Sequence, residues 1–105
     1  MSNSTLNPVV PVTITVNMNG TFSVDPVSFI VHKLQDQVVR WSCTPNQDFT
    51  VEFENGSPFY ESQFSKDQPC SGIARRNLVT DKNRKYKYTV RVGKKELDPG
   101  GGVVP

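Results

Sequence analysis

From Val12 to Met18 apolar and polar residues alternate without a break, with Val12, Ile14, Val16 and Met18 on one side and Thr13, Thr15 and Asn17 on the other. A period of two sends successive side chains to opposite faces of an extended chain, so the segment reads as a half-buried strand. Asn19-Gly20 follows at once, and because both residues accept a positive φ the pair predicts a type I′ turn into a second strand over Thr21 to Val24. After the bend at Asp25-Pro26, Val27, Phe29 and Val31 share a face. The pattern recurs with Val39, Trp41 and Cys43 against Arg40 and Ser42, and with Phe49, Val51 and Phe53 against Thr50, Glu52 and Glu54. Tyr86, Tyr88, Val90 and Val92 repeat it against Lys87, Thr89 and Arg91. Between Ser57 and Asp81 the alternation is lost, yet Phe59, Tyr60 and Phe64 are too apolar for a solvated linker, which predicts a packed excursion with one helical turn. Gly93 turns the chain again, and Val103-Val104 forms a last apolar stub.

Short strands punctuated by turn residues predict an all-β, two-sheet antiparallel sandwich, with Trp41, Phe29, Val39, Phe53, Tyr88 and Val90 between the sheets. The composition agrees, since fifteen Val, eight Thr and ten aromatics stand against four Leu and one Ala. A length of 105 residues permits one core, so the expected layout is a flexible segment over residues 1–11 and a single domain over 12–105. No apolar run approaches the ~20 residues of a membrane helix, and no membrane partner is expected. The opening Met1-Ser2-Asn3-Ser4-Thr5 is not a signal peptide; the compartment stays open, and a periplasmic or extracellular setting would require a signal already removed.

The order of segments resembles a cupredoxin: V-T-I-T-V, then D-P-V-S-F-I-V, Q-V-V-R-W-S-C, F-T-V-E-F, Y-K-Y-T-V and a closing L-D-P-G-G-G-V-V. The resemblance spans roughly Val12 to Val104 and implies a Greek-key arrangement in which the strand at Phe49 to Glu54 neighbours that at Tyr86 to Val92. The rival is an immunoglobulin-type sandwich, which expects a Cys before its Trp, whereas Cys43 follows Trp41. The family's chemistry is a copper ion held by two His, one Cys and usually a weak axial Met. Where the first His would open H-x-V-x-F the chain has Phe49, and where the Cys would end Y-x-Y-x-C it has Val90. His32 is the only His, so a two-His site cannot be assembled from one copy, and neither a cofactor nor a metal is expected.

The remaining residues add little chemistry. His32, beside Lys33 and Leu34, reads as a solvent-facing structural residue. Glu52 and Glu54 share a strand face, as any solvated strand provides, and no nucleophile-base constellation or phosphate-cradling loop is present, so no enzyme is expected. Cys43 and Cys70 are either a disulfide, which an oxidising compartment would permit without requiring, or two reduced residues, as the cytosol would keep them. Such a bridge would stabilise the fold by roughly 3.5 kcal/mol in the chain-entropy treatment. The sequons at Asn3 and Asn55 carry no weight.

Charge is the uneven feature. Residues 75–95 hold nine basic groups and one acid, net +8, whereas the rest hold three and nine, net −6, giving the overall +2. Cross-strand pairing of Glu52 and Glu54 with Lys87 and Arg91 would neutralise part of this segment. Arg75, Arg76, Lys82, Arg84, Lys94 and Lys95 are then expected to form a basic surface at one end of the sandwich, taking an acidic protein partner or a second copy. The function expected is a non-catalytic binding or structural module. Its alternatives are a copper-handling or electron-transfer protein using His32, Met18 and a cysteine, and an anion or nucleic-acid binder through residues 75–95. Nucleic acid is disfavoured, because Tyr86 and Tyr88 fall on the core face where they cannot stack on bases.

Overall fold

The computed structural model describes residues 7–105; the first six residues of the expected flexible segment, with the sequon at Asn3, lie outside the described residues. The fold is all-β, with strands β1 (Val9–Val16), β2 (Phe22–Asp25), β3 (Ser28–His32), β4 (Val38–Thr44), β5 (Thr50–Glu52), β6 (Gln63–Ser65), β7 (Tyr86–Lys87), β8 (Thr89–Val92), β9 (Lys95–Leu97) and β10 (Gly100–Val104). The first strand thus opens inside the segment expected to be flexible, because Val9 to Pro11 pair with Val38 to Arg40.

Three hydrogen-bonded sheets result, ordered β2-β1-β4, β3-β10-β7 and β6-β5-β8-β9. The expected purely antiparallel pairing is corrected here, since β1 runs parallel to β4 and β10 parallel to β3. Alternation along one strand reports which face is buried and says nothing of the neighbour's direction. The second and third sheets share one hairpin: Val92 faces Lys95, Val90 faces Leu97, and the same register continues through Lys87 to Gly100 and Tyr86 to Gly101. Pro99 has no N–H to donate, but its carbonyl accepts from Tyr88 N at 3.1 Å and carries the ladder across the gap. Edgewise, residues 69–71 add to β4, where Trp41 N donates to Pro69 O and Ser71 N to Val39 O.

All six residues expected in the core are buried there. Trp41, from the first sheet, lies 5.1 Å from Phe64 and 5.7 Å from Tyr88 between ring centroids, so the layers close on one aromatic cluster, a packing that fits a β-sandwich. Phe29 joins it at 5.8 Å from Tyr88 and 6.2 Å from Phe59. Its ring lies flat over Gly101, its partner across the β3–β10 pair, where a Cβ would intrude closer than 3.0 Å. The bare backbone at Gly101 therefore makes room for the aromatic ring.

Two expected details change. The β1–β2 hairpin closes with a three-residue loop, in which Asn17 N donates to Thr21 O and Gly20 N to Asn17 O, with positive φ at Gly20 alone. A type I turn followed by a left-handed Gly does this, and it carries Met18 out of the strand into full exposure. Val27, in the bend before β3, is likewise 72% exposed. The excursion after Ser57 contains no helical turn; it is pinned by β6, by a bridge between Phe59 and Ala74, and by Arg75 N donating to Pro58 O.

Candidate interaction site

The positions that the resemblance assigns to copper ligands hold hydrocarbon. Val90 is fully buried opposite Val51, and continuing that register sets buried Phe49 against Val92, one inward position further along. Met18 lies in the β1–β2 loop. The β8–β9 turn reaches that end of the fold, with Lys95 Nζ 3.8 Å from where a Cβ on Gly20 would sit. His32 is at the other end, opposite Val104, with Nδ1 3.1 Å from Pro105 O. Among the described residues no group of three or more His, Cys, Asp or Glu side chains is placed to hold a metal ion. Cys43 and Cys70 are both free. Cys70 pairs with Arg40 and so points to the outer face, whereas Cys43, in step with Trp41, points inward. Burial pushes the Cys43 thiol above its ordinary value, away from the thiolate that a soft metal would need.

Chemistry concentrates on two surfaces instead. On the outer face of the third sheet, Arg91 on β8 reaches both neighbours. Its Nη1 donates to Glu52 on β5 at 2.9 Å, its Nη2 to Glu54 at 3.1 Å and its Nε to Glu96 on β9 at 2.6 Å. Registers Thr50↔Arg91 and Arg91↔Glu96 place one guanidinium between carboxylates on both sides, and its fork of donors serves all three. Hydrogen bonds from Arg91 first, and then from Gln63, hold the Glu52 carboxyl below the usual range, while the three carboxylates push the Arg91 pKa upward. Lys87, expected to share these acids, takes no part.

The second surface is the end opposite the β1–β2 loop. Arg75 Nε donates to Ser57 O at 3.1 Å, and Arg76 N donates to the Tyr60 hydroxyl at 3.0 Å. Lys33, in the 3-10 turn Lys33–Gln35, donates through Nζ to the carbonyls of Arg76 and Leu78, both at 2.8 Å. Arg84 N donates to Asp81 O, closing a turn that contains Lys82, and the Arg84 guanidinium sits 4.6 Å over the Tyr86 ring. Arg84 also comes within 3.9 Å of where a Cβ on Gly56 would be, next to Ser57 and hence to Arg75.

Arg75, Arg76, Lys82 and Arg84 are thus brought together, joined by Lys33. Lys94 and Lys95 are not; Lys94 lies in the β8–β9 turn and Lys95 opens β9, at the far end of the β7–β8 strand, with Lys95 beside Gly20. None of these seven cations has a carboxylate partner among the described residues, where the ion pairs are Lys66 with Asp48 and the three of Arg91. Sequence reasoning missed Lys33, because its contacts lie more than forty positions away. It also gave no role to Leu34 and Val79 and expected Tyr60 to pack with Phe59 and Phe64, whereas all three emerge at this end, 82%, 86% and 63% exposed. An apolar residue in a turn was the only signal available for Leu34 and Val79.

Comparison with protein-family models, with curated proteins and with solved structures found no match.

Proposed function

We propose that this chain is a cupredoxin-like Greek-key sandwich without a copper site, acting as a non-catalytic module that binds an acidic protein partner through the end carrying Lys33, Arg75, Arg76, Lys82 and Arg84. The scaffold reading is supported by β5 lying beside β8, the neighbouring that the resemblance implies, and by hydrocarbon at Phe49 and Val90. It rests on likeness of fold, which by itself assigns no activity. The observation that carries the binding reading is that Lys33, Arg75, Arg76, Lys82 and Arg84 have no carboxylate partner among the described residues, while Glu52, Glu54 and Glu96 are all held by Arg91. Cations left without carboxylates attract an acidic partner and steer its approach. A nucleic-acid role is disfavoured because Tyr86 and Tyr88 are buried.

Calorimetric titration with polyglutamate tests this. Wild type should bind at low salt and lose affinity steeply as ionic strength rises to about 0.1 M, where the Debye length is ~10 Å. Arg76→Glu with Lys82→Glu, neither of whose side chains holds another residue, should weaken binding by about tenfold or more. Binding that is absent, or unchanged in the double variant, would overturn the proposal.

A further inference from the structure

The basic end also exposes apolar side chains, and the two properties interlock. Leu34 and Val79, 82% and 86% exposed, stand on turns that Lys33 ties together through the Leu78 carbonyl. Tyr60, 63% exposed, is tied to Arg76 through its hydroxyl. Beside Leu34 lies a groove of about 290 Å³ with Leu34, Ile73 and Ala74 on its walls and Lys33, Arg76 and Asp36 at its polar margin. A side chain as exposed as Leu34 gains nothing in the free chain, and its place on the wall of a groove whose other walls are Ile73 and Ala74 marks a surface fit to be covered by an apolar group. The surrounding cations determine what covers it.

We infer that this groove seats an apolar side chain of an acidic peptide segment, whose carboxylates lie against Lys33, Arg76 and the neighbouring Lys82 and Arg84. The inference rests on the proposed binding role and specifies the partner's chemistry: carboxylates for reach and orientation, and at least one Leu-sized side chain for the groove. Lys33 suits the position, because two backbone carbonyls hold its Nζ in place while a third N–H stays free to donate. Asp36 at the groove margin argues for a peptide over an anionic lipid surface. One fixed carboxylate is compatible with an ordered partner that places its own charges elsewhere, but it repels a uniformly negative plane.

The test uses the full chain and three probes: a short fluorescein-labelled Asp/Glu peptide containing Leu, the same peptide with Ser in place of Leu, and vesicles of phosphatidylserine and phosphatidylcholine. By fluorescence anisotropy the Leu peptide should bind about tenfold or more tightly than the Ser peptide, the gain expected from burying one such side chain. Leu34→Ser should abolish that difference by weakening the Leu peptide about tenfold or more, to the affinity of the Ser peptide. Circular dichroism of the variant, whose substituted side chain is exposed, verifies the fold. Equal affinities for the two peptides would overturn this inference and leave the electrostatic role standing. No salt-dependent binding of either peptide would overturn both. Sedimentation with the vesicles in preference to both peptides would assign the surface to membranes and overturn the peptide reading.

Discussion

Substitution of Gly101 by Ala isolates a single packing decision. The strand Gly100–Val104 presents three successive glycines to different surroundings. A Cβ on Gly100 or Gly102 would meet only a neighbouring carbonyl at 3.7 Å, ordinary contact, whereas a Cβ on Gly101 would strike the ring atoms of Phe29. Phe29 is 1% exposed and wedged among Trp41, Phe59 and Tyr88, so its ring has no free space to enter. Inserting a methyl into such a core costs typically ~1–3 kcal/mol. Replacing Gly by Ala restricts the unfolded chain and returns ~0.4–1 kcal/mol, leaving Gly101→Ala destabilising by about 1–2 kcal/mol. At about 4–8 °C per kcal/mol for a domain of this size, the thermal midpoint should fall by roughly 4–16 °C. The control is Gly102→Ala, which has the unfolded-state benefit without the clash and should be neutral or slightly stabilising. Urea unfolding followed by Trp41 fluorescence measures both, with unchanged m-values showing that the same surface unfolds. Adding Phe29→Leu to Gly101→Ala should recover part of the loss, a coupling that a double-mutant cycle reads directly. Equal stability of the two glycine variants would refute the packing argument.

Other substitutions test the remaining parts of the structure. Trp41→Ala should cost about 3–5 kcal/mol in urea unfolding, a large share of a small domain's stability. The buried Tyr88 hydroxyl and Trp41 indole N–H have at most each other, in an approach short of good hydrogen-bond geometry, so Tyr88→Phe should be neutral or stabilise the fold by up to ~1 kcal/mol. Burial pushes the Tyr88 phenol up to about 12, so its contribution is full below the ordinary value of 10.0 and is lost as pH rises through about 12; alkaline unfolding should be delayed in Tyr88→Phe. Glu52, held low chiefly by Arg91, contributes stability above its ordinary range that drains as pH falls through its lowered value. In Arg91→Gln, NMR titration should show its carboxyl back in the usual range. Copper(II) added under air should produce no intense visible thiolate-to-copper band, because Phe49 and Val90 offer no ligand and the remaining His and thiols do not converge.

The buried faces were legible wherever a strand is buried on one side only. Period two suffices to place Val12 and Ile14, Trp41, Phe53, and Tyr86 through Val92, because each segment's own residues carry the signal. It failed at Met18, which continues the alternation but belongs to the turn, since the choice between a two- and a three-residue loop depends on how β1 and β2 meet. The excursion after Ser57 was opaque for a related reason: Phe59 and Phe64 are buried by partners distant in sequence, and no local period reflects them. Parallel pairing of β1 with β4 left no trace in either strand. Of the interaction site, the excess of cations over residues 75–95 was visible. That Arg91 alone would collect Glu52, Glu54 and Glu96 depends on the register of three strands, and the separation of Lys94 and Lys95 from the other cations depends on the length of the β7–β8 strand between them.

Amide chemical-shift mapping during titration with polyglutamate at low salt tests the binding proposal most directly, because it locates the contact as well as detecting it. The expected result is a contiguous set of perturbations over Lys33, Leu34, Ile73 to Arg76 and Lys82 to Arg84, collapsing as salt rises, with the amides around Arg91 and in the Gly93-Lys94 turn unmoved. Perturbations centred on Lys94 and Lys95, or none anywhere, would contradict it.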